Sequence, residues 1–295
     1  MKKMVLTATI AALFTFSPQA AALSTFTPQA NNTVGLYLGG QIWQSDANGT
    51  FGEKKTLLDF NLNKEQQINY FIAVEHPYPL LPNVRIASTT LDTSGKNSLM
   101  QEFSFGDETF LTGTDVDARF NVSYIDYTLY YELFNNGLFS LDFGVTARDF
   151  NGAVTVTGAT TTENTEHEGF GWHESCFDEN GELYGDCNPV STSSSITPTG
   201  KIKTDHIEPM LYVATNISLP LTRLNAFVQG GFSLVNDHSH YDYQVGLSYG
   251  LVDSRMVDFD LTLGYRFVEI EFEDLNNLYT ELEFTGAFVG VIAHF

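Results

Sequence analysis

Apolar and polar residues alternate along much of this chain, a pattern typical of β-strands that have one apolar and one polar environment. The clearest segment is residues 125–133, where isoleucine, tyrosine and leucine occupy the odd positions. Residues 135–137 are Asn-Asn-Gly, a tight-turn sequence because these residues tolerate positive φ. The alternation resumes over residues 139–145. Together these segments predict a β-hairpin.

Similar segments recur along the rest of the chain. In a transmembrane barrel, apolar residues face lipid, polar residues face the lumen, external loops are long and periplasmic turns are short. The pattern therefore predicts an all-β fold, an antiparallel up-and-down transmembrane β-barrel of about ten strands. Eight or twelve strands are alternatives, because Leu99 to Phe110 fits either a further hairpin or an extended loop arm. The ten segments lie near residues 33–45, 66–76, 83–94, 118–134, 138–154, 203–217, 222–236, 239–251, 256–272 and 278–295.

The first 22 residues have the pattern of a secretory signal peptide. Lys2 and Lys3 precede an apolar run over residues 4–16, and three alanines at 20–22 suit a signal peptidase. A transmembrane helix is the alternative, but it needs about 20 apolar residues. We therefore predict cleavage after residue 22 and a single barrel domain over 23–295, in which 158–200 form a large external loop.

The last strand resembles the sorting signal that the barrel assembly machinery of Gram-negative bacteria recognises. Alternate residues from 287 to 295 are apolar, Gly290 lies between the two registers, and the chain ends at Phe295. The sequence thus predicts an outer-membrane protein of a Gram-negative bacterium, with the assembly machinery as a partner during biogenesis.

The chain is strongly acidic, with 14 Lys+Arg against 36 Asp+Glu and a formal net charge of −22. Nucleic-acid binding requires cations that neutralise phosphates, so it is not expected. Many acids fall in turn-like stretches, where they either form a solvated surface or hold divalent cations that bridge lipopolysaccharide. The expected partners are outer-membrane lipids and lipopolysaccharide. No cofactor is expected, and the sequence leaves the oligomeric state open.

Cys176 and Cys187 are the two cysteines, and both fall in the predicted large loop. Exported proteins fold in an oxidising compartment, which favours a loop disulfide between them. Two free thiols are the alternative.

Four segments resemble a family of small outer-membrane β-barrel proteins found in marine-type proteobacteria, which carries no settled biochemical activity. The resemblance covers nearly the whole mature chain, and it implies the same fold and location without any catalytic residues. The segments are Glu75 to Arg85, Leu129 to Leu133, Pro209 to Tyr212 and Gly290 to Phe295.

Charged residues also occur at positions that the alternation assigns to the lumen. Side chains nearly fill the interior of a small barrel, so these charges predict a polar plug. A narrow channel for small solutes or ions is the alternative, and a plug predicts loss of stability rather than altered conductance when the arginines are replaced. The residues of this lumen charge network are Glu75, Arg85, Asp126, Glu132, Asp142, Arg148, Glu208, Asp260 and Arg266.

A barrel enzyme is a further alternative, and we expect the chain not to be one. No serine lies in a Gly-x-Ser-x-Gly setting, and no glycine-rich phosphate loop precedes a helix. His238 and His240, at a predicted external hairpin tip, are spaced to ligate a metal on one strand face, although a solvated surface cluster is the expected reading. His167 and His173 form a second, acidic patch together with Glu166, Glu168 and Glu174. The predicted role is structural or one of surface interaction through the loops.

Overall fold

The chain forms a closed wall of ten antiparallel β-strands. A computed structural model describes residues 34–53, 56–78, 80–159, 161–165, 192–234, 238–252, 254 and 257–295. Neighbouring wall strands are consecutive in the sequence, and the ring closes where the last wall strand pairs with the first. An up-and-down barrel of ten strands is therefore confirmed, and the closure pairs the two edges of the ten-stranded wall with each other.

The strands divide into the ten that build the wall and six short ones. Two of the short strands, β2 (Thr56–Leu58) and β11 (Thr199–Lys203), extend the wall next to β1 (Gly35–Glu53) and β8 (Phe139–Gly158), and the others form two separate hairpins. The wall strands are β1 (Gly35–Glu53), β3 (Glu65–Glu75), β4 (Asn83–Ser98), β7 (Asp115–Asn135), β8 (Phe139–Gly158), β12 (His206–Ser218), β13 (Leu224–Ser233), β14 (His238–Val252), β15 (Asp258–Leu275) and β16 (Leu278–His294). The short strands are β2 (Thr56–Leu58), β5 (Phe103–Phe105), β6 (Glu108–Phe110), β9 (Thr161–Thr165), β10 (Thr192–Ile196) and β11 (Thr199–Lys203).

Tight turns join the strands at one end of the barrel. Asn136 accepts backbone N–H bonds from Leu138 and Phe139, while Gly137 has a φ of 81°. Longer links join the strands at the other end, together with one two-residue turn at Asn276 and Asn277, both at positive φ. In barrels of this kind the short turns are periplasmic and the long loops external, which orients the molecule.

An apolar belt surrounds the outer wall. Large apolar side chains at alternate positions are about half exposed, for example Ile42, Leu129, Val145, Leu263 and Val289. Polar groups replace them further along the same strands toward the loop end. Such a belt is stable only against hydrocarbon, because a soluble protein rarely exposes so large a continuous apolar surface. The chain is thus an outer-membrane barrel. No helix in the described ranges is long and apolar enough to cross a membrane.

Several strands continue beyond the belt into segments that the sequence assigned to loops. β1 ends at Glu53 rather than near residue 45, and β7 begins at Asp115. The segment from Leu99 to Phe110 contains the β5–β6 hairpin and adds no strand to the wall. Of the two interpretations of this segment, an extended loop arm therefore agrees better with the structure than a further hairpin of the wall. The predicted signal peptide, Cys176 and Cys187 lie outside the described residues.

Candidate functional site

The barrel interior contains three successive zones between the external and periplasmic ends. An apolar plug fills the external half, a central ion-pair layer crosses the middle, and a polar cup lies at the periplasmic end. Each zone follows from the same strand geometry, since every second residue of a wall strand points inward. What the interior holds therefore depends on which residues occupy those inward positions.

The central ion-pair layer consists of Tyr124, Asp126, Arg148, Asp242 and Arg266. Arg148 donates to both oxygens of Asp126, from Nε at 2.7 Å and from Nη2 at 2.8 Å. Its Nη2 also donates to Asp242 Oδ2 at 2.8 Å. Arg266 donates to the two oxygens of Asp242 at 3.0 and 2.8 Å. The side chains of Arg148, Arg266 and Asp242 are at most 9 % exposed and that of Asp126 is 16 % exposed, so the charges are neutralised mainly by one another rather than by water.

Asp242 is the centre of this layer, because it binds both arginines and a phenol. The Tyr124 hydroxyl donates to Asp242 Oδ2 at 2.8 Å, and the Arg148 guanidinium lies 3.8 Å above the Tyr124 ring. Charge-assisted bonds of this type are stronger than neutral ones. One carboxylate thus holds side chains from β7, β8 and β15 together across the lumen.

A buried histidine–glutamate pair lies next to this layer. His240 Nε2 is 2.8 Å from Glu208 Oε2, both side chains are fully buried, and the Ser233 hydroxyl also bonds Glu208. Phe150 and Phe272 pack edge-on against the His240 ring. The prediction that His240 belongs to a solvated cluster at an external hairpin tip is therefore wrong, because its side chain is fully buried. The alternation already indicated an inward position, since Tyr241 and Tyr243 face outward. The His238 side chain, His167 and His173 lie outside the described residues.

The apolar plug is a cluster of phenylalanines from the wall, from the β5–β6 hairpin and, at Phe60, from the link between β2 and β3. Phe51 packs against Phe60 with 4.5 Å between ring centroids, and against Phe105 and Phe120 at 6.1 and 6.4 Å. All of its members are at most 1 % exposed, which excludes water from this part of the lumen. They are Phe51, Phe60, Phe103, Phe105, Phe110, Phe120 and Phe284.

The hairpin is fixed in the barrel mouth by close backbone contacts. Gly106 turns the hairpin at a φ of 52°, and its N–H donates to Glu53 Oε2 at 2.9 Å. A Cβ on Gly200 would lie 1.8 Å from the Phe105 carbonyl oxygen, so only glycine permits this approach. The hairpin therefore belongs to the packed interior rather than to the loops.

The periplasmic cup is a cavity of about 240 Å³. Gln41 donates to Gln244 at 3.1 Å across the lumen and closes part of its inner side. Aromatic rings, amides and charged groups line it, a mixture that is typical of binding pockets. The aromatic residues are Tyr37, Phe71, Tyr130, Tyr212 and Phe227, and the charged ones are Glu75, Arg85, Asp142 and Asp260.

The structure distributes the predicted lumen charge network over these zones. Arg148, Arg266 and Asp126 meet in the central layer, and Glu208 pairs with His240. Glu75, Arg85, Asp142 and Asp260 line the periplasmic cup, while Glu132 is opposite Asp142 on the neighbouring strand. No ion pair joins the cup residues to the central layer within the described ranges. Sequence reasoning left out Asp242, although its position between Tyr241 and Tyr243 marks it as inward.

The outer wall above the belt carries two charged areas of opposite sign. Arg119 and Lys201 are the cross-strand neighbours of Thr155, one on each side of it, and Lys203 lies two residues after Lys201 on the same face of β11. All three cations line a shallow groove. We call Arg119, Lys201 and Lys203 the basic sector. No side-chain hydrogen bond or ion pair involves these three cations among the residues that the structure describes.

Glutamates face one another on the opposite side of the wall. Glu269 lies opposite Glu283, and Glu271 opposite Glu281, in the β15–β16 register. Partial burial and these neighbouring carboxylates raise the pKa of Glu269 and Glu271. Like charges in direct cross-strand pairs destabilise a sheet, so this area is repulsive as it stands. The acidic area thus differs from the basic sector both in the sign of its charge and in its position on the wall.

Comparisons with known proteins identify no family. No family model matches the chain, and no curated protein matches it in sequence. The chain is similar to the outer-membrane protease OmpT of Escherichia coli, with a TM-score of 0.46, 10 % identity, and coverage of 92 % of this chain and 100 % of that one. It is also similar to Neisserial surface protein A (TM-score 0.27, 11 % identity, coverage 87 % and 95 %). A third similar structure is Ail of Yersinia pestis (TM-score 0.27, 11 % identity, coverage 87 % and 98 %).

These likenesses concern outer-membrane barrels in general, and they transfer no activity. The resemblance to a barrel family of marine-type proteobacteria stays a prediction, as does the absence of enzymatic activity. The role of the chain has to be inferred from its own residues.

Proposed function

We propose that the chain is a sealed outer-membrane barrel that serves as a rigid, non-conducting scaffold for its external loops. The observation that carries this proposal is the double closure of the lumen. The apolar plug excludes water from the external half, and the central ion-pair layer spans the middle with buried, mutually neutralised charges. An ion would have to displace both zones to cross the barrel, and either displacement is costly.

The refolded mature protein is expected to produce no reproducible single-channel steps in a planar bilayer. Heat-modifiable gel migration first establishes that the barrel is folded, and a porin refolded in parallel shows that the assay detects a pore. Discrete steps that grow with salt concentration, and that change in Arg148→Gln or Arg266→Gln, would instead support the narrow-channel alternative.

The basic sector supports lipopolysaccharide as the partner of the outer wall. Arg119 lies six residues beyond Ile125, the last large apolar side chain on the outer face of β7, and Lys203 and Lys201 lie four and six residues before Ile207 of the following strand, β12. This spacing is about 13–20 Å along a tilted strand, which puts the cations near the head groups of the outer leaflet. Cations at that height attract anionic lipid, each by about 1 kcal/mol. These three side chains point outward, and none of them forms an ion pair with a carboxylate of the protein within the described part of the wall.

Replacing the three basic-sector residues by glutamine is expected to lower lipopolysaccharide binding at least about tenfold. The measurement is lipopolysaccharide retained per barrel after extraction in mild detergent, together with binding to vesicles that contain bisphosphorylated or dephosphorylated lipid A. Lys64→Gln is the matched control, because Lys64 is already paired with Asp46 at 2.6 Å. Equal retention by the triple variant and the control would exclude the basic sector as the lipid site.

A further inference from the structure

The periplasmic cup is a blind cavity that neither the scaffold role nor the basic sector uses. Its inner side is bounded by Gln41 and Gln244, and its lining reaches Ile292 and Asn225 near the periplasmic ends of their strands. A solute from the periplasm thus meets a pocket with one entrance. The charged groups of the pocket are arranged unevenly along its depth.

Arg85 provides the positive charge of the cup. Its guanidinium lies 3.5 Å above the ring of Phe71, and no hydrogen bond or ion pair joins its side chain to another residue in the described ranges. The stacking leaves the N–H groups at the edge of the guanidinium plane available, and these match a carboxylate bidentately. The site is built for this stack, because a Cβ on Gly39 would lie 2.1 Å from the Phe71 ring.

Carboxylates gather nearer the periplasmic rim. Glu132 and Asp142 are direct cross-strand partners that face the lumen. Two like charges in such a pair repel each other and destabilise the sheet. Glu75 lies beside them and accepts a hydrogen bond from the Tyr130 hydroxyl at 2.8 Å. Asp142 has no hydrogen-bonding or cationic partner within the part of the chain that the structure describes. A bound cation would relieve this repulsion, and the tyrosine rings of the cup would add cation–π attraction.

The two charged ends are separated along the barrel wall. Arg85 lies opposite Thr128, and Asp142 lies opposite Glu132, four residues further along β7. Four residues of a strand span about 13 Å, which long side chains shorten from both ends. We propose that the cup binds a small zwitterionic solute of di- or tripeptide size, with its carboxylate on Arg85 and its ammonium among Glu75, Glu132 and Asp142.

Trialanine is the probe for this proposal, compared with its N-acetylated form and its C-terminal amide. Titration calorimetry on the folded full barrel in detergent is expected to show free trialanine binding at least tenfold more tightly than either capped form. Equal binding of all three, no binding of any, or preference for one capped form would each overturn the proposal. The conductance measurement does not depend on peptide binding. A barrel that neither conducts nor binds trialanine would therefore refute the peptide site in the cup and leave the scaffold proposal standing.

Charge variants assign each end of the ligand. In Arg85→Gln, the free peptide should lose its advantage over the amide and keep its advantage over the N-acetyl form. Asp142→Asn should have the opposite effect. Asp149→Asn is the matched control, because Asp149 lies on the same strand at an outward position. If each variant reduced the advantage of free trialanine over both capped forms equally, the effect would be a general structural one and would contradict the assignment.

Discussion

Replacement of Asp242 by alanine is expected to lower the free energy of unfolding by about 3–5 kcal/mol, the range for breaking a buried ion pair from one side. Asp242 accepts hydrogen bonds from Arg148, Arg266 and Tyr124. Arg148 retains Asp126 after the substitution, whereas Arg266 loses its carboxylate and stays buried with only neutral partners, Thr89 and Tyr124. An uncompensated buried charge is the main cause of the loss.

Denaturant unfolding in lipid vesicles measures this loss, with tryptophan fluorescence as the signal because Trp43 lies near Arg266. Asp92→Ala is the control. Asp92 is an outward residue of β4 whose carboxylate accepts one long bond from Asn121 at 3.4 Å, so its removal should change stability by less than about 0.5 kcal/mol. If Asp242→Ala and Asp92→Ala had similar effects, the central layer would not be a determinant of stability.

The fold was predictable because a membrane barrel repeats one rule along its whole sequence. Each wall strand must place apolar residues outward at every second position, so ten separate segments gave the same signal. The ends of strands were less predictable. Beyond the belt, the outer face of β1 meets water and carries Gln44, Asp46 and Asn48. The pattern of apolar outward and polar inward residues therefore ends there, although the hydrogen-bonded pairing of β1 with β16 continues to Glu53.

The interior was predictable in part, for the same physical reason. Alternation assigned Arg148, Arg266 and Asp126 to the lumen, where they lie, but it carries no information about which inward charges meet across the barrel. That pairing depends on strand stagger and closure, which join β8 to β14 over a sequence separation of 94 residues. Asp242 was therefore identifiable as inward and not as the centre of the layer.

The apolar plug lacked a comparable signal. Phe103, Phe105 and Phe110 lie in a segment outside the ten wall strands, where an apolar residue fits an exposed loop arm or a buried hairpin equally well. Phe51 belongs to a stretch with acidic and glycine residues nearby, which resembles a loop. Only the contact of this wall residue with the hairpin shows that the lumen is filled by aromatic packing as well as by charge.

Replacement of Phe51 by alanine is expected to lower the free energy of unfolding by about 3–5 kcal/mol, since a large buried side chain leaves a cavity that its neighbours fill only partly. Phe51 is fully buried and packs against Phe60, Phe105 and Phe120, so the substitution affects the wall and the hairpin together. The same denaturant unfolding in vesicles measures the effect, and limited proteolysis within residues 99–114 reports whether the hairpin has left the barrel mouth.

Phe143→Ala is the matched control, because Phe143 is 43 % exposed on the lipid-facing wall. Its removal leaves no internal cavity, since lipid fills the space, so the loss of stability should be smaller and the hairpin should stay protected from protease. If Phe143→Ala cost as much as Phe51→Ala, or if the hairpin were cleaved equally fast in the unaltered protein, the external half of the lumen would not be held by aromatic packing. The closure of the barrel would then rest on the central ion-pair layer alone.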